Sequence, residues 1–333
     1  MVGLLLVGSI SPEILVAEDT VILSSRKNPR SQTKLVGEVL DFNGTQLIIR
    51  LSTGAEREFP AERVVTILPQ RSEAHRAADA AMARHQYQPA LAAYRQALAR
   101  ESRRWMRRML HAQIVWCYRN LGQPKLAGET FLLLVRDDAK TPYFDSIPLA
   151  WIPSEPEPGL MQSAHSWMRD ENVPAAVLLG ASHLLSTNER PAALRRLKRL
   201  QLHDDPRIAM LAQAQSWRAA VATASQSDLQ QWRQVIESAP EALRGGPYFV
   251  LGQAFAQQQE PVRAALALLR VPINHAEDRE LAARCLLQAA EALQRIGQNQ
   301  EAAQLYRELT EDYADRALAS VGARRLEALQ NDE

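Results

Sequence analysis

The sequence predicts a mainly α protein, an α-solenoid of stacked helical hairpins with a small β domain at its N-terminal end. Three observations predict it. An Ala followed four positions on by an aromatic or large apolar residue recurs at Ala90/Tyr94, Ala127/Phe131, Ala264/Leu268 and Ala302/Tyr306. Self-similarity at a period of roughly 20–50 residues marks hairpins that bury their apolar faces only by stacking. Residues 20–68 instead carry short β-rich runs separated by turn residues. The 333 residues are 46% hydrophobic and 23% charged, which describes a globular chain with room for a sizeable core and excludes a disordered one.

The first element, Val2–Val16, is mostly apolar and ends at Ala17 before Glu18-Asp19. Its length and flank fit a signal-peptide core and fall short of a bilayer span. Residues 1–17 are therefore expected to direct export, to the periplasm, with a cytoplasmic protein as the alternative. No Lys or Arg precedes the run and Pro12-Glu13 interrupts it, which leaves an N-terminal strand as the competing reading. No other stretch approaches eighteen uninterrupted apolar residues, so no transmembrane segment is expected in the mature chain.

Residues 18–69 form the expected β domain, with strands at 21–23, 34–40, 46–51, 58–60 and 63–67. Asn43-Gly44 between two of these runs predicts a type I′ hairpin turn, because that turn needs positive φ at both central positions. Ser52-Thr53-Gly54-Ala55 supplies the next turn. Short strands in so small a segment are expected to close into an SH3-like or Sm-like barrel. Gly37-x-Val39 with Gly44 resembles the G-x-V-x-x-x-x-G turn of small bacterial β-modules.

From Glu73 the period becomes helical. Twelve residues before each repeat Ala stands a small or slim residue, Ala78, Val115, Gly252 and Ala290, and three further on come Ala81, Tyr118, Phe255 and Leu293. This resembles the tetratricopeptide repeat (TPR) family, whose consensus runs W-x₂-L-G-x₂-Y, then A-x₃-F and a closing Pro; Leu251-Gly252-Gln253-Ala254-Phe255 reproduces its middle. Small residues let the two helices of a hairpin approach closely while large ones fill the gap to the next repeat. Leu179-Gly180-Ala181-Ser182-His183 resembles the same segment and places a repeat Ala at Ala192, with a further degenerate repeat at Asp228, Trp232 and Pro240. The positions 90, 127, 192, 228, 264 and 302 then follow at near-equal steps, except for one long step between 127 and 192. That step holds Pro142, Pro148, Pro153, Pro156 and Pro158, which no continuous helix tolerates. The expected organisation is a TPR pair over 72–139, a Pro-rich connector over 140–160 and a TPR-like array with a capping helix over 161–331. Tyr143, Phe144, Ile147, Leu149, Trp151 and Ile152 predict that the connector packs down, since a free linker would be polar.

Chemistry-bearing patterns are few. There is no G-x-S-x-G, H-E-x-x-H, Walker loop or G-x-G-x-x-G. Ser31-Gln32-Thr33-Lys34 matches S-x-x-K but lies between strands, where the two side chains diverge. The seven His show no ligand spacing with Cys; His183 reads as a packed core residue, and His203-Asp204-Asp205-Pro206 as a helix end followed by an N-cap. Cys117 and Cys285 are expected to be buried free thiols, because a long solenoid keeps such distant positions apart. The sequence thus predicts no catalysis, no cofactor and no metal.

Lys and Arg total 39 against 38 Asp and Glu, a net +1 that argues against a constitutive nucleic-acid binder. Locally, residues 71–110 hold nine Arg against Glu73, Asp79 and Glu101, whereas 271–333 hold seven Arg against twelve acids. Such a dipolar solenoid suits self-association or an acidic partner, or simply a solvated surface. Arg100, Arg103, Arg104, Arg107 and Arg108 share one helical face. They read either as a solvated face pairing with neighbouring acids or as a phosphate-binding stripe. The expected function is a non-catalytic protein-protein scaffold in the bacterial cell envelope, gripping a peptide or protein segment on its concave face; a cytoplasmic nucleic-acid adaptor using the stripe is the alternative. The TPR resemblance implies groove positions at His75, Asp79, Met82, Trp116, Arg119 and Asn120 in the first two repeats, and at Gln253, Gln257, Glu291, Gln294 and Arg295 in the later array. The Lys and Asn that clamp a C-terminal carboxylate in some members of the family are replaced, so chaperone-tail binding is not implied.

Overall fold

In the computed structural model, residues 18–25 and 31–331 are described, and the expected leader lies outside them. Five strands, β1 (Asp19–Ser24), β2 (Gln32–Phe42), β3 (Gln46–Leu51), β4 (Glu56–Pro60) and β5 (Val64–Leu68), pair antiparallel in the order β4-β3-β2-β1-β5. The expected barrel is not closed. A 3-10 turn, Ala61–Arg63, carries the chain from β4 on one edge to β5 on the other, but no ladder joins the edges. The hairpin turn at Asn43-Gly44 also differs in kind from the type I′ expectation, since neither residue has positive φ. Instead Asn43 Oδ1 accepts from the Thr45 and Gln46 amides at 2.9 and 3.1 Å, an Asx-type turn. Gly44 is required by close approach: a Cβ there would collide with the Lys140 backbone, while its N–H donates to Asp138 at 2.8 Å.

The sheet buries Val21, Leu23, Val39, Leu47 and Ile49 toward the helices. The first four helices are α1 (Glu73–Ala83), α2 (Tyr87–Arg100), α3 (Arg104–Asn120) and α4 (Pro124–Asp137). The fully buried Trp105 of α3 donates its indole N–H to the Val39 carbonyl at 2.9 Å, fixing sheet to helix. After the connector follow α5 (Pro158–Arg169), α6 (Pro174–Leu184), α7 (Arg190–Leu200), α8 (Pro206–Trp217), α9 (Gln226–Ser238), α10 (Gly245–Gln257), α11 (Pro261–Leu268), α12 (Arg270–Asn274), α13 (Arg279–Gln294), α14 (Asn299–Asp312) and α15 (Ala317–Asn331). Pro at the first helical turn, where no N–H partner is needed, starts α4, α5, α6, α7, α8 and α11. Asp205 caps α8 by accepting from Arg207, as its place before Pro206 predicts.

Four hairpins share one turn. His85, Gly122, Gln259 and Gly297 all adopt left-handed φ (59°, 65°, 58° and 77°), each five residues before its repeat Ala. The next amide reaches back to the helix: Gln86 to Ala81, Gln123 to Tyr118, Glu260 to Phe255 and Gln298 to Leu293. These six-to-one bonds close each first helix as a Schellman motif. Behind the turns, Ala90, Ala127, Ala264 and Ala302 are all fully buried, and Gly252 lies so close to Leu268 that a Cβ would not fit.

The middle of the array is built differently. Gly180 packs on the Ala164 carbonyl and the Met168 backbone, so α6 forms its hairpin with the preceding α5. Ala176 of α6, fully buried, stands twelve residues after Ala164, which is the repeat spacing. The Leu179-Gly180 segment therefore belongs to a second helix of a hairpin, not to the first helix that its likeness to L-G-x₂-Y implies. All of Ala175–Leu184 is buried between α5 and α7, including His183.

The connector is wedged into the molecule. Phe144, Ile147, Leu149 and Trp151 are buried, Phe144 meets Phe131 of α4 edge-on at 5.7 Å, and Trp151 lies on Gly246 of α10. Ser182 of α6 accepts from the Ala150 amide at 2.8 Å. Around this wedge the array curls until its ends meet, contrary to the expectation of an extended solenoid. Arg119 pairs with Asp278 at 2.5 Å, Asn120 donates to the Glu277 carbonyl at 3.0 Å, and Arg316 donates to the Asn120 carbonyl at 2.8 Å. Cys117 and Cys285 are both buried and free.

Candidate protein-binding groove

The structure divides the eleven groove positions by where they point. His75 is buried with its Nε2 3.6 Å from Asp79, and burial holds its pKa below the usual imidazole value. Asp79 accepts from the Tyr94 hydroxyl at 2.7 Å and pairs with Arg71 at 3.2 Å. Met82 touches the Cys117 thiol, with sulfur to sulfur 3.9 Å. Trp116 carries the Arg119 guanidinium over its ring at 3.9 Å, and that guanidinium also faces the carbonyls of Asp145, Ser146 and Ile147. With Asn120 held between Glu277 and Arg316, the concave face of the first two hairpins is occupied by the chain itself.

The later positions are open. Gln253, Gln257, Glu291 and Arg295 line one groove of about 370 Å³ between α10, α13 and the end of α8, with Pro153 of the connector at its margin. Gln294 is turned away and accepts from the Tyr306 hydroxyl at 3.0 Å. The groove also holds Gln288, Arg218 and Val221, which sequence reasoning missed. Gln288 was within reach, because 288, 291 and 295 fall on one helical face. Arg218 was not, because the degenerate register around α8 gives no indication of which way its C-terminus points.

The groove's electrostatics favour a polar segment. Gln253, Gln257 and Gln288 make no side-chain hydrogen bond among the described residues. Arg218 meets only neutral acceptors: the Ser182 carbonyl at 2.9 Å, the Gln215 side chain at 2.7 Å and the Ser186 hydroxyl at 3.4 Å. Burial without a carboxylate partner lowers its pKa to about 10. Glu291 lies 3.6 Å from Arg325 at the other end. Amides that can donate and accept, and a cation with no countercharge, are suited to peptide carbonyls, amides and one carboxylate.

The arginine stripe does not lie on one helical face as expected, since α2 ends at Arg100 and α3 starts at Arg104, and it is largely consumed within the fold. Arg108, buried, bonds Asp137 at 2.6 Å, Asp41 at 3.0 Å and the Phe42 carbonyl at 2.8 Å. Arg104 pairs with Asp137, Arg103 with Glu101, and Arg107 donates to the Leu98 carbonyl. These bonds join α3 to α4 and the sheet through Arg104 and Arg108 and to the end of α2 through Arg103 and Arg107, so most of the stripe that motivated a phosphate-binding reading is a set of joints. Among the described residues no cluster of His, Cys, Asp and Glu could hold a metal ion, and no helix is long and apolar enough to cross a membrane. Comparison with known family models and with curated proteins returned no match to this chain.

Proposed function

We propose that the chain is a non-catalytic interaction scaffold of the tetratricopeptide type, acting in the bacterial cell envelope and holding an extended segment of a partner protein in the α8–α10–α13 groove. The observation that carries this reading is the set of three glutamine amides, Gln253, Gln257 and Gln288, facing one open groove with no partner in the described chain. Such a surface grips an extended backbone by hydrogen bonds, with Val221 and Ala256 as apolar contacts and Arg218 as an anchor for a carboxylate. The shared Schellman turns and the buried repeat alanines support the tetratricopeptide assignment. Placement in the envelope rests on the apolar run of residues 2–16.

The test is photo-crosslinking in the native host from a benzoylphenylalanine at Gln257, with one at the exposed Leu133 of α4 as control. A discrete product is expected at Gln257 alone, and it should disappear when Gln253 and Gln288 are both changed to Ala. Equal products at both positions, or none at Gln257, would refute the groove as the binding surface.

A further inference from the structure

A second cleft carries charge that the fold does not use. Between α5 and α7, over the buried α6, lies a volume of about 350 Å³ lined by His165, Met168 and Arg169 on one side and by Glu189, Ala192 and three arginines on the other. Of those arginines only Arg196 has a carboxylate partner, Glu171. Arg169, Arg195 and Arg199 make no ion pair or side-chain hydrogen bond among the described residues.

What sets these apart is their convergence: Arg169 from α5 and Arg195 and Arg199 from α7 line one concave volume with their charges unmatched, whereas Arg103, Arg104, Arg108, Arg119, Arg207 and Arg279 are paired within the fold. Arg195 and Arg199 also stand one helical turn apart, an arrangement of like charges that opposes the helix they lie on. Guanidinium groups converging from two helices on a concave volume are donors in fixed forks, suited to oxyanions.

We infer that the α5–α7 cleft binds an acidic segment of a partner protein, two or more carboxylates flanking one apolar side chain. The arginines take the carboxylates, and buried Met168 with Ala192 supplies the apolar contact. A nucleic acid is the poorer fit, because no Phe, Tyr or Trp lines the cleft as a stacking platform and His165 is its one ring. A lipid surface also fits less well, because the apolar face of α7, Ala193, Leu197 and Leu200, is already buried. This site is separate from the α8–α10–α13 groove, and neither proposal depends on the other.

The experiment uses the full chain and a fluorescein-labelled peptide in which four glutamates flank a central leucine, followed by fluorescence anisotropy at low and at physiological salt. Binding is expected to weaken with salt, and to weaken at least ten-fold in R195E/R199E, whose altered side chains are exposed and whose melting curve should stay close to that of the parent. Q253A/Q288A should bind the peptide as the parent does. Three results would overturn the inference: absence of peptide binding, unchanged binding in R195E/R199E, or tighter binding of a labelled single-stranded oligonucleotide or of phosphatidylglycerol vesicles.

Discussion

At the residue scale, the chain spends much of its polar chemistry on holding itself together. Arg108 is the clearest instance, a nearly fully buried guanidinium satisfied by two carboxylates and a carbonyl. Buried and half-buried histidines add a condition on pH. Burial is the largest cause lowering the pKa of His75, His111, His183 and His275, and it takes His183 down to about 4. The fold therefore favours neutral imidazoles. Their contribution is complete above the unfolded value, near 6.5, and is lost as pH falls from there toward the folded values. An imidazole made ten-fold less basic by folding opposes protonation of the native state by about 1.4 kcal/mol, and by less where solvent still reaches the ring. Thermal melts should thus show the midpoint dropping as pH falls from about 6.5 toward 4; a midpoint constant from about pH 7 to 5 would mean that these histidines titrate freely. His183 was legible in the sequence as a packed residue because it stands in the tyrosine slot of the Leu179-Gly180-Ala181-Ser182-His183 repeat likeness, although its helix proved to be the second of a hairpin. The Arg stripe read as one helical face is split between two helices, because α2 ends at Arg100 and α3 starts at Arg104, and which carboxylates it meets depended on how α4 and the sheet dock.

At the scale of elements, the four Schellman hairpins explain why the repeats at Ala90, Ala127, Ala264 and Ala302 could be read directly. Each joins a small residue, a left-handed turn and a buried Ala at fixed spacing, so local chemistry and packing agree. Two of the turns use Gly, whereas His85 and Gln259 hold the same backbone with a side chain, at a cost of about 1 kcal/mol each. Gly122 has open space where a Cβ would stand, so its constraint is conformational alone. Gln259→Gly should therefore stabilise the chain by up to about 1 kcal/mol and Gly122→Ala should cost about as much, both measured by urea unfolding. Opposite signs would show that these turns are set by contacts instead. Between α5 and α9 the sequence was less legible. Gly180 resembles a first-helix glycine by its neighbours Leu179 and Ala181, yet it packs backward onto the α5 backbone at Ala164 and Met168, and the local residues alone do not say which neighbouring helix a small residue will meet. In the sheet, strand positions followed from β-rich runs, but closure did not, since edge pairing depends on how far the sheet coils.

At the scale of the whole molecule, closure separates used from unused surface. Arg119, Asn120, Arg279 and Arg316 lock the first hairpins to α13 and α15, with Arg279 donating to His85 Nε2 at 3.2 Å and Arg316 lying 5.5 Å over Tyr87. Repeat spacing can be read from sequence, but superhelical curvature is a sum of small rotations that no motif encodes. This is why Trp116, Arg119 and Asn120 could be placed on the concave face without any sign that the chain itself covers them. Through these contacts the ends of the array meet, and the α8–α10–α13 groove is left free. The most direct test of closure is the electron–electron resonance distance between spin labels at Q88C on α2 and R324C on α15, both exposed positions, with the buried Cys117 and Cys285 left unlabelled. Closure predicts one narrow distance distribution that broadens and lengthens in R119A/R316A. A broad distribution in the parent chain, or one unchanged in that variant, would contradict it.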